Sequence, residues 1–314
     1  MSNRSATKNP PAKAAPPEAP AKAERAARPK RAAKAGRGAR GFYLYCLGAA
    51  DALAPLFDAA LPEAIEDSAR LELVAAGGLA AVASEVPLAD YGEEALPQRL
   101  ADPAWTAARA LRHERVVQHF ARRAAAVPLR FGTIFLRRGS IERMLCDESE
   151  AVRARLELVG GRDEWGVNLY VSRAELREGV ARTSPVLREM AERAAALPPG
   201  QAYLLRKKIE ALRDTEAREE KKRIVSEVLD RLGRVCAASG RLRAPANETT
   251  EHGELAARLV FLVGRDGFGE FRAEAERAAG EHASLGFRFE LTGPWPAYNF
   301  VGPGGASGQE DTAG

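Results

Sequence analysis

EWGVNLYVSRAE, residues 164–175, sets the architecture of the larger part of this chain. Its first eight residues mix aromatic and β-branched side chains and read as a strand. Ser172-Arg173-Ala174-Glu175 then has the form of a capping box, with a serine at the N-cap and a glutamate three residues on, so a helix starts there. Ser184-Pro185 restarts the helix, because proline is tolerated at the first helical position. Residues 201–238 read as one long helix or a helix pair, with buried stripes at Leu205, Ile209, Leu212 and at Ile224, Val228, Leu232, Val235. The intervening RDTEAREEKKR has no large apolar residue and predicts a solvated middle that projects or bends, with Glu219–Arg223 and Asp230–Arg234 as i,i+4 pairs. RLRAP begins a strand, ELAARLVFLVGR (254–265) is a stronger one, and Phe268, Phe271, Ala275, Ala278 and His282 share one helical face. GFRFELTG (286–293) closes the series as a strand. The order β-α-β-β-α-β predicts an α+β fold with a ferredoxin-like C-terminal domain whose first crossover is enlarged.

Working back from residue 164, Gly160-Gly161 ends a helical stripe of Met144, Leu145, Val152, Leu156 and Val159, which Ser140 can cap. We place a domain boundary at these glycines, giving an N-terminal α+β domain over 41–161 and a C-terminal domain over 162–301. In the first, GFYLYCLG (41–48) reads as a strand, and a loop or short helix follows over residues 52–60. LELVAAGGLAAVASEVPL (71–88) reads as a hairpin turning at Gly77-Gly78. Residues 93–100 and 105–126 are helical, and VPLRFGTIF (127–135) breaks the second helix at Pro128 before returning to β-prone residues.

The charge is divided unevenly. Residues 1–40 hold eleven Lys/Arg and two acidic residues, a net of +9, whereas the rest holds 36 basic and 41 acidic residues, a net of −5. The arm is Ala/Pro/Lys/Arg repetition that cannot bury enough surface to offset its ordering entropy, so it is expected to be disordered, as is the Gly-rich tail 302–314. Such an arm either solubilises the chain or touches nucleic acid or an acidic surface. No apolar run approaches the roughly 18–20 residues of a membrane span. Cys46, Cys146 and Cys236 are too far apart for a metal spacing or a disulfide framework.

Motifs with chemistry are scarce. HERVVQH (113–119) puts two histidines six apart, diverging by roughly 120° around a helix, which is not a zinc-binding face. His252 falls in a polar loop, and His282 on an apolar stripe reads as core. GRDGFG (264–269) lacks both the dinucleotide spacing and the lysine of a P-loop. No nucleophile elbow is present, and the carboxylates lie on charged helix faces. We assign no catalytic, cofactor-binding or metal-binding residue.

Four stretches stand out together: VPLRFGTIF, EWGVNLYVS, GQAYLLRKK (200–208) and LTGPWPAYNF (291–300). Their order and separations, with the closing TGPWPAYNF, resemble the gas vesicle protein F/L family over residues 41–301; the basic arm lies outside that pattern. The resemblance implies two α+β domains and a non-enzymatic accessory protein of gas vesicles, located in the cytoplasm and the vesicle. It further implies partners in the small hydrophobic shell protein and other accessory proteins, and a role in nucleation or assembly of the shell. Arg130, Phe131, Trp165, Trp295, Tyr298 and Phe300 are the candidate partner-binding or interdomain residues. For Trp295, Tyr298 and Phe300 two readings stand: aromatics covering a core or domain junction, or a proline-stiffened recognition loop. Arg130 is expected to be buried, satisfying backbone carbonyls.

Overall fold

The computed structural model describes residues 38–58, 60–243 and 249–302. Of the arm 1–40 and the tail 302–314, expected to be disordered, residues 1–37 and 303–314 lie outside the described residues; the expectation is corrected at Arg40, which opens β1. The first half builds a five-stranded antiparallel sheet from β1 (Arg40–Ala49), β2 (Leu71–Ala76), β3 (Leu79–Pro87), β4 (Ala126–Pro128) and β5 (Ile134–Phe135), in the order β2-β3-β1-β4 with β5 also on β1. Gly77 and Gly78 both lie in the left-handed region (φ 61° and 77°), as a two-residue turn matched to the strand twist requires. The helices of this half are α1 (Ala50–Leu53), α2 (Leu88–Tyr91), α3 (Leu96–Leu100), α4 (Pro103–Ala121), α5 (Arg138–Asp147) and α6 (Ser149–Val159).

Two local expectations are corrected. α4 ends at Ala121, well before Pro128, because Ala126, Val127 and Pro128 pair with Gly48, Leu47 and Cys46 of β1. Sheet pairing, not the proline, stops the helix. α5 begins at Arg138 with Arg137 at its N-cap, so Ser140 sits inside the first turn and caps nothing.

The second half builds another five-stranded antiparallel sheet from β6 (Arg162–Val171), β7 (Ala238–Leu242), β8 (Thr249–Thr250), β9 (Gly253–Gly264) and β10 (Phe287–Trp295). Its order is β10-β6-β9-β7, with β8 on β9. α7 (Arg173–Thr183), α8 (Pro185–Ala195) and α9 (Pro199–Gly233) connect β6 to β7, α10 (Phe268–His282) connects β9 to β10, and α11 (Tyr298–Val301) ends the described chain. Both serine caps form: Ser172 Oγ accepts from the Glu175 amide and Ser184 Oγ from the Leu187 amide. α9 is one continuous helix whose middle does not project, since Ala217 there is buried and Glu216 accepts a hydrogen bond from Ser184. Arg223 pairs with Glu220 and Glu227 rather than with Glu219.

Strand periodicity places three core layers. Tyr43, Tyr45 and Cys46 of β1 pack with Val116, Val117 and Phe120 of α4. Leu44 and Leu47, on the opposite face, pack with Ile141 and Leu145 of α5 and Val152 of α6. Ala257, Leu259, Phe261 and Val263 of β9 face α7, α9 and α10. The alternate residues Val260 and Leu262 enter the layer of Leu44 and Leu47, together with Ala297, Phe300 and Val301. β9 is therefore buried on both faces, which is why it reads as a nearly unbroken apolar run. The middle layer crosses Gly160-Gly161 and joins the two halves.

Candidate functional site

The segment after β10 forms the seam between the two sheets. Gly293 has φ 132°, and a Cβ there would stand 2.9 Å from both the Trp165 ring and the Glu164 carbonyl, so only glycine fits. The chain then re-pairs at Trp295 with Glu164 and turns into α11. β6 is the divider. Trp165 points to the α10 side and stacks on Phe268 with ring centroids 4.0 Å apart. Glu164 points to the seam and is 4% exposed.

At the seam α4 supplies His113 and Glu114, β1 supplies Tyr43, and α11 supplies Tyr298 and Asn299. His113 Nδ1 is 2.8 Å from the Tyr43 hydroxyl, and its Nε2 is 3.2 Å from the Tyr298 hydroxyl. Tyr298 donates to Glu114 Oε2 at 3.0 Å, and Tyr43 accepts from the Gly132 amide at 3.2 Å. Burial drives the His113 pKa down to about 4, so the ring is neutral. With the His113 proton on Nε2, one direction runs through the side-chain network. Gly132 N–H donates to Tyr43, Tyr43 to His113 Nδ1, His113 Nε2–H to Tyr298, and Tyr298 to Glu114. Glu164 accepts from the Asn299 backbone amide at 2.9 Å and from its side-chain amide. Burial raises Glu164 to about 7 against the lowering effect of those bonds, and burial also raises Glu114.

Shifted carboxylates beside a neutral histidine are what catalytic sites assemble. Here the polar atoms are taken up by one another. The adjoining cleft between α4 and the β10 end, lined by Gln118, Ala121, Arg162 and Trp295, has a volume of about 20 Å³, room for one water. The arrangement fastens α11 to α4 and β6.

The six residues singled out from sequence divide. Tyr298 lies in the network. Phe131 packs edge-on against Tyr43 and His113, at 6.1 and 5.8 Å between ring centroids. Phe300 is buried in the middle core layer. Trp295 is half-buried at the cleft. Arg130 is exposed, correcting the expectation of a buried arginine; its guanidinium lies over Gly302 at the end of α11, while its carbonyl accepts from Thr133. Trp165 faces away from the seam. Sequence reasoning missed Tyr43, Glu114, Glu164 and Asn299 as members of the network. It set His113 aside for its spacing to His119, and the signal available was one polar residue in an otherwise apolar stripe with Val116, Val117 and Phe120.

A sequence model of the family described as gas vesicle synthesis protein GvpL/GvpF matches residues 41–302. The chain belongs to the GvpL/GvpF family. Gas vesicle protein L of Streptomyces sp. (strain CB03234) is 29% identical over 250 residues, covering 78% of this chain and 89% of that relative. Two solved structures share the fold. The gas vesicle protein GvpF from Anabaena sp. PCC7120 has a TM-score of 0.58 at 17% identity, covering 84% of this chain and 98% of that one. The GvpF from Microcystis aeruginosa has a TM-score of 0.53 at 17% identity, covering 84% and 99%. Among GvpL/GvpF proteins this chain thus carries its basic arm ahead of the matched region. No helix among the described residues is long and apolar enough to cross a membrane.

Proposed function

We propose that this protein is a non-enzymatic gas vesicle accessory protein. It binds the hydrophobic shell protein and other accessory proteins during nucleation and assembly of the vesicle, working in the cytoplasm and at the vesicle. One observation carries this reading beyond family membership: the shifted acid–base groups, Glu114, Glu164 and His113, are consumed in holding the seam. The fold fits a binding platform of two units, 41–161 and 162–301. The sheet order β10-β6-β9-β7, antiparallel throughout, supports a ferredoxin-like description of the second unit with α7–α9 as its enlarged crossover.

The +9 arm favours a rival reading, a nucleic-acid or anionic-surface module. Binding of the full chain and of a chain lacking residues 1–37 to immobilised shell protein, at low and high salt, separates the two. Residue 37 is the place to cut because Arg40 already belongs to β1 and pairs with Glu85. Saturable shell binding that survives the deletion is expected. Binding to DNA alone, lost with the arm and at about 0.5 M salt, would favour the rival.

A further inference from the structure

α9 is too long for the sheet beneath it. Its 35 residues span about 52 Å, whereas the 12 residues of β9 span about 40 Å. Its packing under the second sheet begins at Leu205 and Ile209 and runs to Leu232. Before that only Ala202 is buried, and every residue from 195 to 201, between α8 and α9, is exposed. The α8–α9 hairpin therefore ends in a projecting tip.

The tip has an unusual surface. Three of the seven exposed large apolar side chains among the described residues fall within eight positions here: Leu197, Tyr203 at 57% and Leu204 at 68% exposure. Beside them the cations are unspent. Arg193, Arg206 and Lys208 hold no carboxylate among the described residues, and Lys207 reaches only over the Tyr203 ring, at 5.6 Å. Further along the same helix Arg213, Lys221, Lys222, Arg223 and Arg231 are paired with carboxylates, while Arg218 reaches Thr215. Residues 185–208 carry five Lys/Arg and two Glu, on a body from residue 41 onward that is net negative.

We propose that the α8–α9 tip is a docking face for an acidic amphipathic helix of a partner protein. The inference goes beyond the assembly reading, because it names a face and a partner chemistry. Tyr203 and Leu204 are neighbouring exposed apolar positions at the start of α9, with Leu197 just before it, and Lys207 and Lys208 stand one turn on from them on the same faces. A helix with an apolar stripe bordered by carboxylates matches that arrangement in both shape and charge. A lipid surface matches it less well. Interfacial helices present a long apolar face, whereas at the tip only Leu197, Tyr203 and Leu204 are large, apolar and exposed.

The test uses the full chain and a fluorescent synthetic helical peptide of about 20 residues with a leucine stripe flanked by glutamates, and its lysine-flanked counterpart. Two variants alter only exposed side chains, Tyr203→Ser with Leu204→Ser, and Lys207→Glu with Lys208→Glu; an unchanged thermal midpoint verifies their fold. The acidic peptide is expected to bind the wild type, each variant to weaken it about tenfold or more, and the lysine peptide to fail. Absence of acidic-peptide binding, or equal binding by the variants, overturns the proposal. Phosphatidylglycerol vesicles that bind the wild type but neither variant would overturn it in favour of a lipid surface. Self-association in sedimentation that both variants abolish would overturn it in favour of a second copy.

Discussion

Glu164 and His113 pull the stability of the seam in opposite directions with pH. Glu164 has a folded pKa of about 7, above its ordinary 4.5. The folded state holds that proton more tightly, so the contribution is complete below pH 4.5 and is lost as pH rises through 7, about 3 kcal/mol in all. Glu114, raised as well, adds to the same slope. His113 has a folded pKa of about 4, below its ordinary 6.5. Its contribution is complete above pH 6.5 and is lost as pH falls through 4, again about 3 kcal/mol. Between these limits the two slopes nearly cancel. Glu164→Gln should uncover the histidine slope, with urea midpoints falling as pH drops from 6.5 to 4. His113→Phe should uncover the carboxylate slope, with midpoints rising as pH drops from 7 to 4.5. Parallel pH profiles in both variants and the wild type would show that neither group titrates as placed. Truncations sort the aromatics of the C-terminal segment: Phe300→Ala should cost about 3–5 kcal/mol and the half-buried Trp295→Ala about 1–2, read from the same denaturation curves. The aromatic density of LTGPWPAYNF was plain in the sequence. Its partners were not, because Tyr298 meets His113 and Asn299 meets Glu164 across more than a hundred residues, and no local period records such contacts.

At the level of elements, legibility followed local chemistry. The Gly77-Gly78 turn, the Ser172 and Ser184 caps and the strand at ELAARLVFLVGR are written in short-range patterns, and the structure has each of them. Failures came where tertiary pairing overrode a local signal, as when β4 joined β1 and ended α4 early. The middle of α9 is the clearest case, since RDTEAREEKKR reads as solvated yet Ala217 within it is 6% exposed. Ala217→Glu, neutral if that stretch were on the surface, should therefore destabilise by about 2 kcal/mol or more, as a charge forced under α7 and α8. A midpoint unchanged in urea would return this stretch to solvent. At the end of β10, Gly293→Ala should cost about 2 kcal/mol or more, from positive φ together with the clash against Trp165, and should quench or shift the indole fluorescence.

The whole molecule is two sheets sharing one layer. The core between β6–β9 and the helices α7, α9 and α10 belongs wholly to the second half, so a fragment from Asp163 to Val301 should fold by circular dichroism. It should also melt below the full chain and self-associate, because Val260, Leu262 and Phe300 lose the cover of Leu44, Leu47 and Ile141. A fragment that is unfolded would mean that neither half has a core of its own. On the proposed reading this protein acts by binding, and its buried acid–base groups only fasten the seam. Glu114→Gln with Glu164→Gln removes both carboxylates while keeping one oxygen acceptor at each position, for Tyr298 and for one of the two Asn299 amides. Vesicle formation in cells lacking the native gene, complemented with this double variant and matched for protein level and thermal midpoint, is the direct measurement. Vesicles in wild-type number are predicted; a folded, normally abundant variant that makes none would contradict the claim and assign chemistry to the seam.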